Sequence, residues 1–268
     1  MACAWRCAAV VLVTVSMAGV RSAAGQRTWL DATVPSGVSA VATLGVFDDE
    51  VTGFPVGTLA LRGRHAIGAG LVLTGELPLA HARTASGLRG SSVGSPWIGL
   101  EHQRGTTRYE LGARIALWSP GTQESALAHA YAQQLDFDRW EAWFFKSSAV
   151  RAAAQVGVVP TSGSFASAKL GLTGIVVEGS GGDGELFADY QVRAGLAGAT
   201  AYAWVGVIGH GVVTSTEGSA GDRTIHQLEL GARTRGRDRV WEVAVRRYVG
   251  ESFGSSVPLI LRAGVTIR

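Results

Sequence analysis

Apolar and polar residues alternate along most of this chain with a period of two. Such alternation marks strands with one apolar and one polar face, because successive side chains of a strand point to opposite sides. In 106–118, Tyr109, Leu111, Ala113, Ile115 and Leu117 oppose Arg108, Glu110, Gly112 and Arg114. In 185–196, Leu186, Ala188, Tyr190, Val192, Ala194 and Leu196 oppose Glu185, Asp189, Gln191 and Arg193. Leu228, Leu230 and Ala232 oppose Gln227, Glu229 and Arg233, and Trp241, Val243 and Val245 oppose Glu242 and Arg246. The final stretch sets Leu259, Leu261, Ala263, Val265 and Ile267 against Arg262, Gly264 and Thr266. In 67–77 the same reading places Ile67, Ala69, Leu71 and Leu73 on one face and Gly68, Gly70, Thr74 and Glu76 on the other.

The pattern predicts about twelve strands, near 38–47, 56–65, 67–79, 96–103, 106–118, 148–158, 165–177, 184–196, 200–212, 224–234, 239–249 and 258–268. They exceed the usual strand of about 5–6 residues and suit a tilted strand crossing a bilayer. Their connections alternate in length. Short ones fall around 66, 104–105, 159–164, 197–199 and 235–238, and mostly longer ones at 48–55, 80–95, 119–147, 178–183, 213–223 and 250–257. Outer-membrane barrels have short periplasmic turns and longer outer loops. The expected fold is therefore all-β, a transmembrane antiparallel up-and-down β-barrel of about twelve strands.

Composition agrees. Of 268 residues, 47% are hydrophobic and 17% charged, with a mean hydropathy of +0.20. Beyond residue 25 there is no apolar run of helical-span length, so the hydrophobicity is spread over alternate positions. The 37 glycines allow strands to curve and bulky neighbours to fit. Lysine occurs only at Lys146 and Lys169, while arginine is abundant. A soluble sandwich would turn its polar face outward, typically with many Lys and Glu. In a membrane barrel that face lines the interior, where the planar fork of Arg suits pairing across strands.

Residues 1–25 read as a secretory signal peptide: Arg6, an apolar core from Cys7 to Val20, then Ser22, Ala23, Ala24 and Gly25 before Gln26. Residues 26–268 form the expected barrel domain. Cleavage removes Cys3 and Cys7, and with them any disulfide or thiol chemistry. It also removes Arg6 and Arg21, so the formal charge falls from +3 to +1 and the pI of 9.1 makes no case for nucleic acid. Export without cysteines suits a bacterial periplasm or outer membrane, and with the barrel pattern the expected place is the outer membrane.

Glu76-Leu77-Pro78-Leu79-Ala80-His81-Ala82 and Ser91-Ser92-Val93-Gly94-Ser95-Pro96-Trp97-Ile98-Gly99-Leu100-Glu101, with Pro120-Gly121 and Asp138-Arg139-Trp140-Glu141-Ala142-Trp143, carry a resemblance. Residues 67–145 resemble the transporter-like outer-membrane barrels labelled with the meta-pathway of phenol degradation. Ser95 stands where that family has an acidic residue after the Gly. The chain ends in Ile267-Arg268, where many such barrels end in an aromatic. The resemblance implies an outer-membrane channel or transporter for small solutes, hydrophobic ones included.

The lumen-lining candidates are Arg62, Glu76, Glu101, Arg108, Glu110, Arg114, Arg151, Lys169, Asp189, Arg193, Glu229, Arg233, Glu242, Arg246 and Arg262; Arg64 and Glu185 share the polar phase. They make either a polar pore wall with a slight anion preference or an ion-paired filling that holds a narrow barrel together. Leu127, Tyr131 and Leu135 give a short helical stripe inside 119–147. That loop either enters the lumen as a gate or packs on the surface. Trp140 and Trp143 are its candidate gate or ligand-contact residues. No His spacing suits a metal, and no cofactor is expected. His210 and His226 read as being on the apolar phase with Ser215 and Ser219 nearby, the arrangement a lipid-modifying enzyme would need. The loop tip Gly179, Gly181, Gly182, Asp183 and Gly184 lacks the Lys and helix start of a phosphate loop. Tyr190, Tyr202, Trp204 and Trp241 suit aromatic girdles or ordinary sheet packing. The alternatives to a channel are a structural or ligand-binding barrel with a blocked lumen, or a lipid-modifying enzyme. Expected partners are outer-membrane lipid and lipopolysaccharide, the outer-membrane assembly machinery and a small-molecule solute, and no nucleic acid.

Overall fold

The computed structural model describes residues 36–46, 55–83, 87–116, 121–144, 147–157, 159–160, 162–177, 184–214, 224–236, 238–250 and 259–267. The signal segment 1–25, Pro120, Gly179–Asp183, Ser215, Ser219 and Arg268 lie outside them.

The strands are β1 (Gly37–Val46), β2 (Pro55–Gly68), β3 (Leu71–Arg83), β4 (Arg89–Val93), β5 (Trp97–Arg104), β6 (Thr107–Arg114), β7 (Ser147–Val156), β8 (Gly163–Val177), β9 (Gly184–Ala197), β10 (Ala201–Val212), β11 (Thr224–Thr234), β12 (Arg239–Val249) and β13 (Leu259–Ile267). Between β6 and β7 lie helix α1 (Gln123–Leu135) and a 3-10 helix (Phe137–Trp143). Neighbouring strands pair antiparallel, and β1 pairs with β13 from Val38↔Ile267 to Val46↔Leu259, closing the sheet. Twelve strands make the barrel. The thirteenth, β4, escaped the sequence reading. It pairs only with Leu79–Arg83 of β3, while β5 takes the other half of β3, from Leu71 to Glu76.

The short connections gather at one end and the long ones at the other. The β2–β3 turn lies at Ala69–Gly70, not at 66. Gly70 adopts φ +74, a backbone conformation open to Gly, and a Cβ there would sit 2.8 Å from the Gln103 carbonyl oxygen. Ile67 therefore extends β2, with a register shift between Ala66 and Gly68.

The outer surface is apolar. Leu44, Ile98, Leu111, Val150, Leu172, Val205, Leu230, Trp241 and Leu261 all stand exposed on it. A continuous apolar exterior on a closed barrel is a lipid-facing band. Among the described residues no helix is long and apolar enough to cross a membrane.

Inside, bulky side chains lie flat over glycines of the adjacent strand. A Cβ on Gly112 would meet the Trp97 ring at 2.3 Å, one on Gly231 the Trp204 ring at 2.3 Å, and one on Gly171 the Asp189 carboxylate at 2.6 Å. Tyr202 and Trp204 are therefore interior residues, 3% and 2% exposed, and are no part of an outer girdle. Trp204 packs under the Arg193 guanidinium, 5.1 Å from its ring centroid. The period misleads on β10 because Ala201, Ala203, Val205 and Val207 make its other face apolar too. Trp241 keeps its outward position.

Candidate functional site

The β6–β7 connection starts at the long-loop end and turns back into the barrel. Thr122 caps α1 through a reciprocal hydrogen-bond pair with Ser125, which supplies partners for the first free N–H groups. The helix buries Ala128, His129, Ala132 and Leu135. Ala128, Leu135 and Phe137 pack with Val56, Ala82, Ile208, Tyr248 and Ile260 of the wall. Ala132, Ala142 and Trp143 pack on Ala80, and Trp140 packs with Ala149, Ile175 and Phe187. These clusters form an apolar plug in the half of the lumen nearer the long loops. Trp140 and Trp143 are buried within it, 5% and 0% exposed, and not at an open mouth.

Below the plug the contacts become ionic. Glu76 of β3 accepts from Arg114 of β6 and from Arg139 of the 3-10 helix, both at 2.8 Å. Arg114 also donates to Glu141 at 3.0 Å, and Arg139 to Asp136 at 2.9 Å. Asp138 accepts from Arg246 at 3.0 Å and from Arg262. Burial works against the Asp138 carboxylate, but these two guanidiniums outweigh it and hold its pKa well below the usual range. His129 of α1 shares a 3.0 Å hydrogen bond with Ser92 of β4. Burial pushes its pKa down to about 4, against backbone hydrogen bonds that act the other way.

The stretch Val93-Gly94-Ser95-Pro96 clasps the plug. Gly94 N–H donates to the Pro78 carbonyl at 2.9 Å, and Ser95 N–H to the Ala142 carbonyl at 2.8 Å. A Cβ on Gly94 would come within 2.8 Å of Ala142 O and 3.1 Å of the Trp143 ring. The Ser95 carbonyl accepts from Arg114 at 3.0 Å.

The fifteen charged candidates lie on the inner face and sort into linked groups. Arg62, Arg64 and Arg108 surround Glu101, and Arg108 and Lys169 share Glu110. Arg114 joins Glu76 to Glu141. Arg151 pairs with Asp189. Arg193 and Arg246 flank Glu229, whose side chain is fully buried. Arg233 and Arg262 lie 3.4 and 3.8 Å from Glu242. Glu185, by contrast, is exposed near the long-loop end of β9. A cavity of about 150 Å³ lies within this network. Its wall runs from Ser39, Arg64 and Thr266 near the short turns to Phe137, Asp138 and Trp140 beneath the plug.

Comparison with solved structures places the fold. An outer membrane channel from Pseudomonas putida F1 matches 87% of this chain and 95% of its own, at 12% identity and a TM-score of 0.57. LpxR from Salmonella typhimurium matches 86% of this chain and 99% of its own, at 11% identity and a TM-score of 0.49. The translocator domain of the autotransporter NalP from Neisseria meningitidis matches 100% and 96%, at 13% identity and a TM-score of 0.44. No protein-family model matches the chain, and no curated protein does. The fold is that of an outer-membrane β-barrel.

Two features of that barrel depart from the sequence reading. His210 faces inward, stacked between Phe137 at 4.4 Å and Trp140 at 4.7 Å. His226 faces outward, where its Nδ1 lies 2.6 Å from the Tyr190 hydroxyl. The two histidines occupy opposite faces of the sheet and form no common site. Among the described residues no group of three His, Cys, Asp or Glu is placed to hold a metal. The other departure is the loop's own charges. Asp136, Asp138, Arg139 and Glu141 anchor the plug, yet only the fifteen strand charges stood out beforehand. Their signal is charge of both signs interleaved with aromatic residues, Asp136, Asp138, Arg139 and Glu141 among Phe137, Trp140 and Trp143.

Proposed function

We propose that this protein is a bacterial outer-membrane channel for small solutes whose lumen is closed at rest by the β6–β7 loop. One observation carries the reading. The charged residues of the loop are tied to the barrel wall by ion pairs and hydrogen bonds, above a cavity lined largely by polar and charged side chains. A filling that only stabilised a barrel would have no need of a polar cavity, since burying charges costs several kcal/mol per ion before pairing repays it. The outward apolar band implies outer-membrane lipid and lipopolysaccharide as surroundings and the outer-membrane assembly machinery as the route of insertion. The likeness in fold to an outer membrane channel supports the reading, as does the resemblance to the transporter-like barrels. Two residues of the stretches that carry that resemblance, Glu76 and Ser95, bond directly to the plug, at Arg139 and at the Ala142 carbonyl. The opposed directions of His210 and His226 speak for a channel over a lipid-modifying enzyme.

The apolar packing around Leu135, Phe137 and Trp143 favours a second reading, a permanently blocked barrel. Planar-bilayer recording decides between them. The channel reading expects rare openings in the whole protein and frequent, larger ones once residues 123–143 are replaced by a short Gly-Ser linker. Silence of both proteins across all voltages, with the barrel shown folded by heat-modifiable gel mobility, would overturn it.

A further inference from the structure

We propose that the lumen cavity is a binding site for a small organic monocarboxylate, held on one row of the barrel wall. The proposal deepens the channel reading by naming its solute class, and depends on it for passage but not for binding.

Four adjacent strands place Arg108, Gln155, Lys169 and Gln191 directly opposite one another, Arg108↔Gln155, Gln155↔Lys169 and Lys169↔Gln191. All four point inward, and Arg108, Lys169 and Gln191 line the cavity. This row is under-neutralised. Arg108 reaches Glu101 only at 3.9 Å and Glu110 only at 3.7 Å, and Lys169 stands 3.4 Å from Glu110. The pairs that Glu76, Asp136 and Glu141 make with Arg114 and Arg139 close to 2.8–3.0 Å. Glu101 is also engaged by Arg62 and Arg64, so two carboxylates are shared among four cations. Arg108 is 4% exposed, and its Nη1 has no hydrogen-bond partner. A buried guanidinium N–H without an acceptor is costly, and an anionic oxygen delivered to it relieves that cost. A carboxylate matches the site, because its two oxygens can bridge the planar fork of Arg108 and the ammonium of Lys169. Gln191 adds an amide donor at the end of the row.

Size and polarity narrow the class. A cavity of about 150 Å³ is of the size that holds a single benzene ring. Phe137, Trp140 and Ile208 give the same cavity an apolar side. An anionic head with an apolar body of up to one ring fills both parts. Inorganic phosphate would leave the aromatic side unused.

The test is equilibrium titration of the full-length protein in detergent micelles, with sodium benzoate, benzyl alcohol and inorganic phosphate as probes. Benzoate binds saturably and at least about tenfold more tightly than benzyl alcohol, the difference expected for a charge-assisted hydrogen bond. Arg108→Gln and Lys169→Gln each weaken benzoate by about tenfold or more and leave benzyl alcohol unchanged. Lys169 is half-buried and loosely paired, so its variant keeps the folded barrel, checked by heat-modifiable mobility. Equal binding of benzoate and benzyl alcohol, tighter binding of phosphate, or no saturable binding overturns the proposal. Protein that binds benzoate but never conducts keeps the site and loses the channel. Protein that conducts but binds no benzoate does the reverse.

Discussion

Gly90→Ala tests whether the loop is a separable plug. Gly90 is buried on β4, under the first turn of α1. A Cβ there would lie 1.9 Å from the Glu124 carbonyl oxygen and 2.3 Å from its carbon. Ordinary contact begins near 3.4 Å, so α1 and β4 must separate by about 1.5 Å if the methyl group is to fit. Neither backbone atom can rotate away, and β4 is held by its five-residue ladder to β3. Forcing extra volume into a packed site costs about 1–3 kcal/mol, all of it borne by the closed state, because the twelve spanning strands do not meet at this point. That range corresponds to an opening equilibrium shifted by about 5–150-fold. Single-channel open probability in planar bilayers measures it directly. Gly63→Ala is the control, since nothing lies within 4 Å of a Cβ at Gly63. If Gly90→Ala folds, inserts and opens no more often than the wild type and Gly63→Ala, the loop is not a separable plug.

Other consequences follow from the same geometry. Glu229→Gln leaves Arg193 and Arg246 facing each other without their shared, fully buried carboxylate; it lowers barrel stability by about 3–5 kcal/mol, read as the urea midpoint of heat-modifiable mobility, and an unmoved midpoint contradicts it. Acid loosens the plug in a defined window. His129 is buried neutral, with its pKa lowered from 6.5 to about 4, so its contribution is whole above pH 6.5 and drains away as pH falls to about 4. Asp138, whose pKa is depressed, stays charged throughout that window and loses its contribution only in stronger acid. Open probability therefore rises between pH 6.5 and 4 in the wild type, and His129→Gln reduces the slope, leaving the share of His210, which stacks on Phe137 and Trp140 of the same plug; a variant with an unchanged slope refutes the assignment. Leu230, 59% exposed near the middle of β11, faces lipid, and Leu230→Arg costs about 2–4 kcal/mol at the bilayer midplane. The folded fraction on reconstitution falls accordingly, and wild-type yield would count against a lipid-facing position.

Much of the barrel was legible from the chain because a strand in a membrane wall must differ between its faces. At Leu228-Glu229-Leu230 the alternation alone tells inside from outside. The parity of the connections then supplied closure. Where both faces are apolar the signal fails, so His210 reads on the wrong face and the period does not decide between girdle and sheet packing for Tyr202 and Trp204. β4 went unseen because five residues with two serines and a glycine carry no usable period. The Leu127, Tyr131 and Leu135 stripe announced a helix but not its berth. The berth depends on partners far away in the chain, Arg139 on Glu76 across 63 residues and Asp138 on Arg246 across 108. No local pattern encodes such pairings, since each requires the closed barrel to exist first.

The interior glycines bear on how this protein could be remade. Gly112, Gly171, Gly206 and Gly231 are vacant places on one strand occupied by Trp97, Asp189, Arg193 and Trp204 of the next. Each glycine and its occupant therefore behave as one unit of the bore. Shrinking an occupant widens the passage and at the same time frees its glycine to accept a side chain from another strand. An engineer can thus move bulk or charge around the circumference, strand by strand, while the hydrogen-bonded ladder and the number of strands stay as they are.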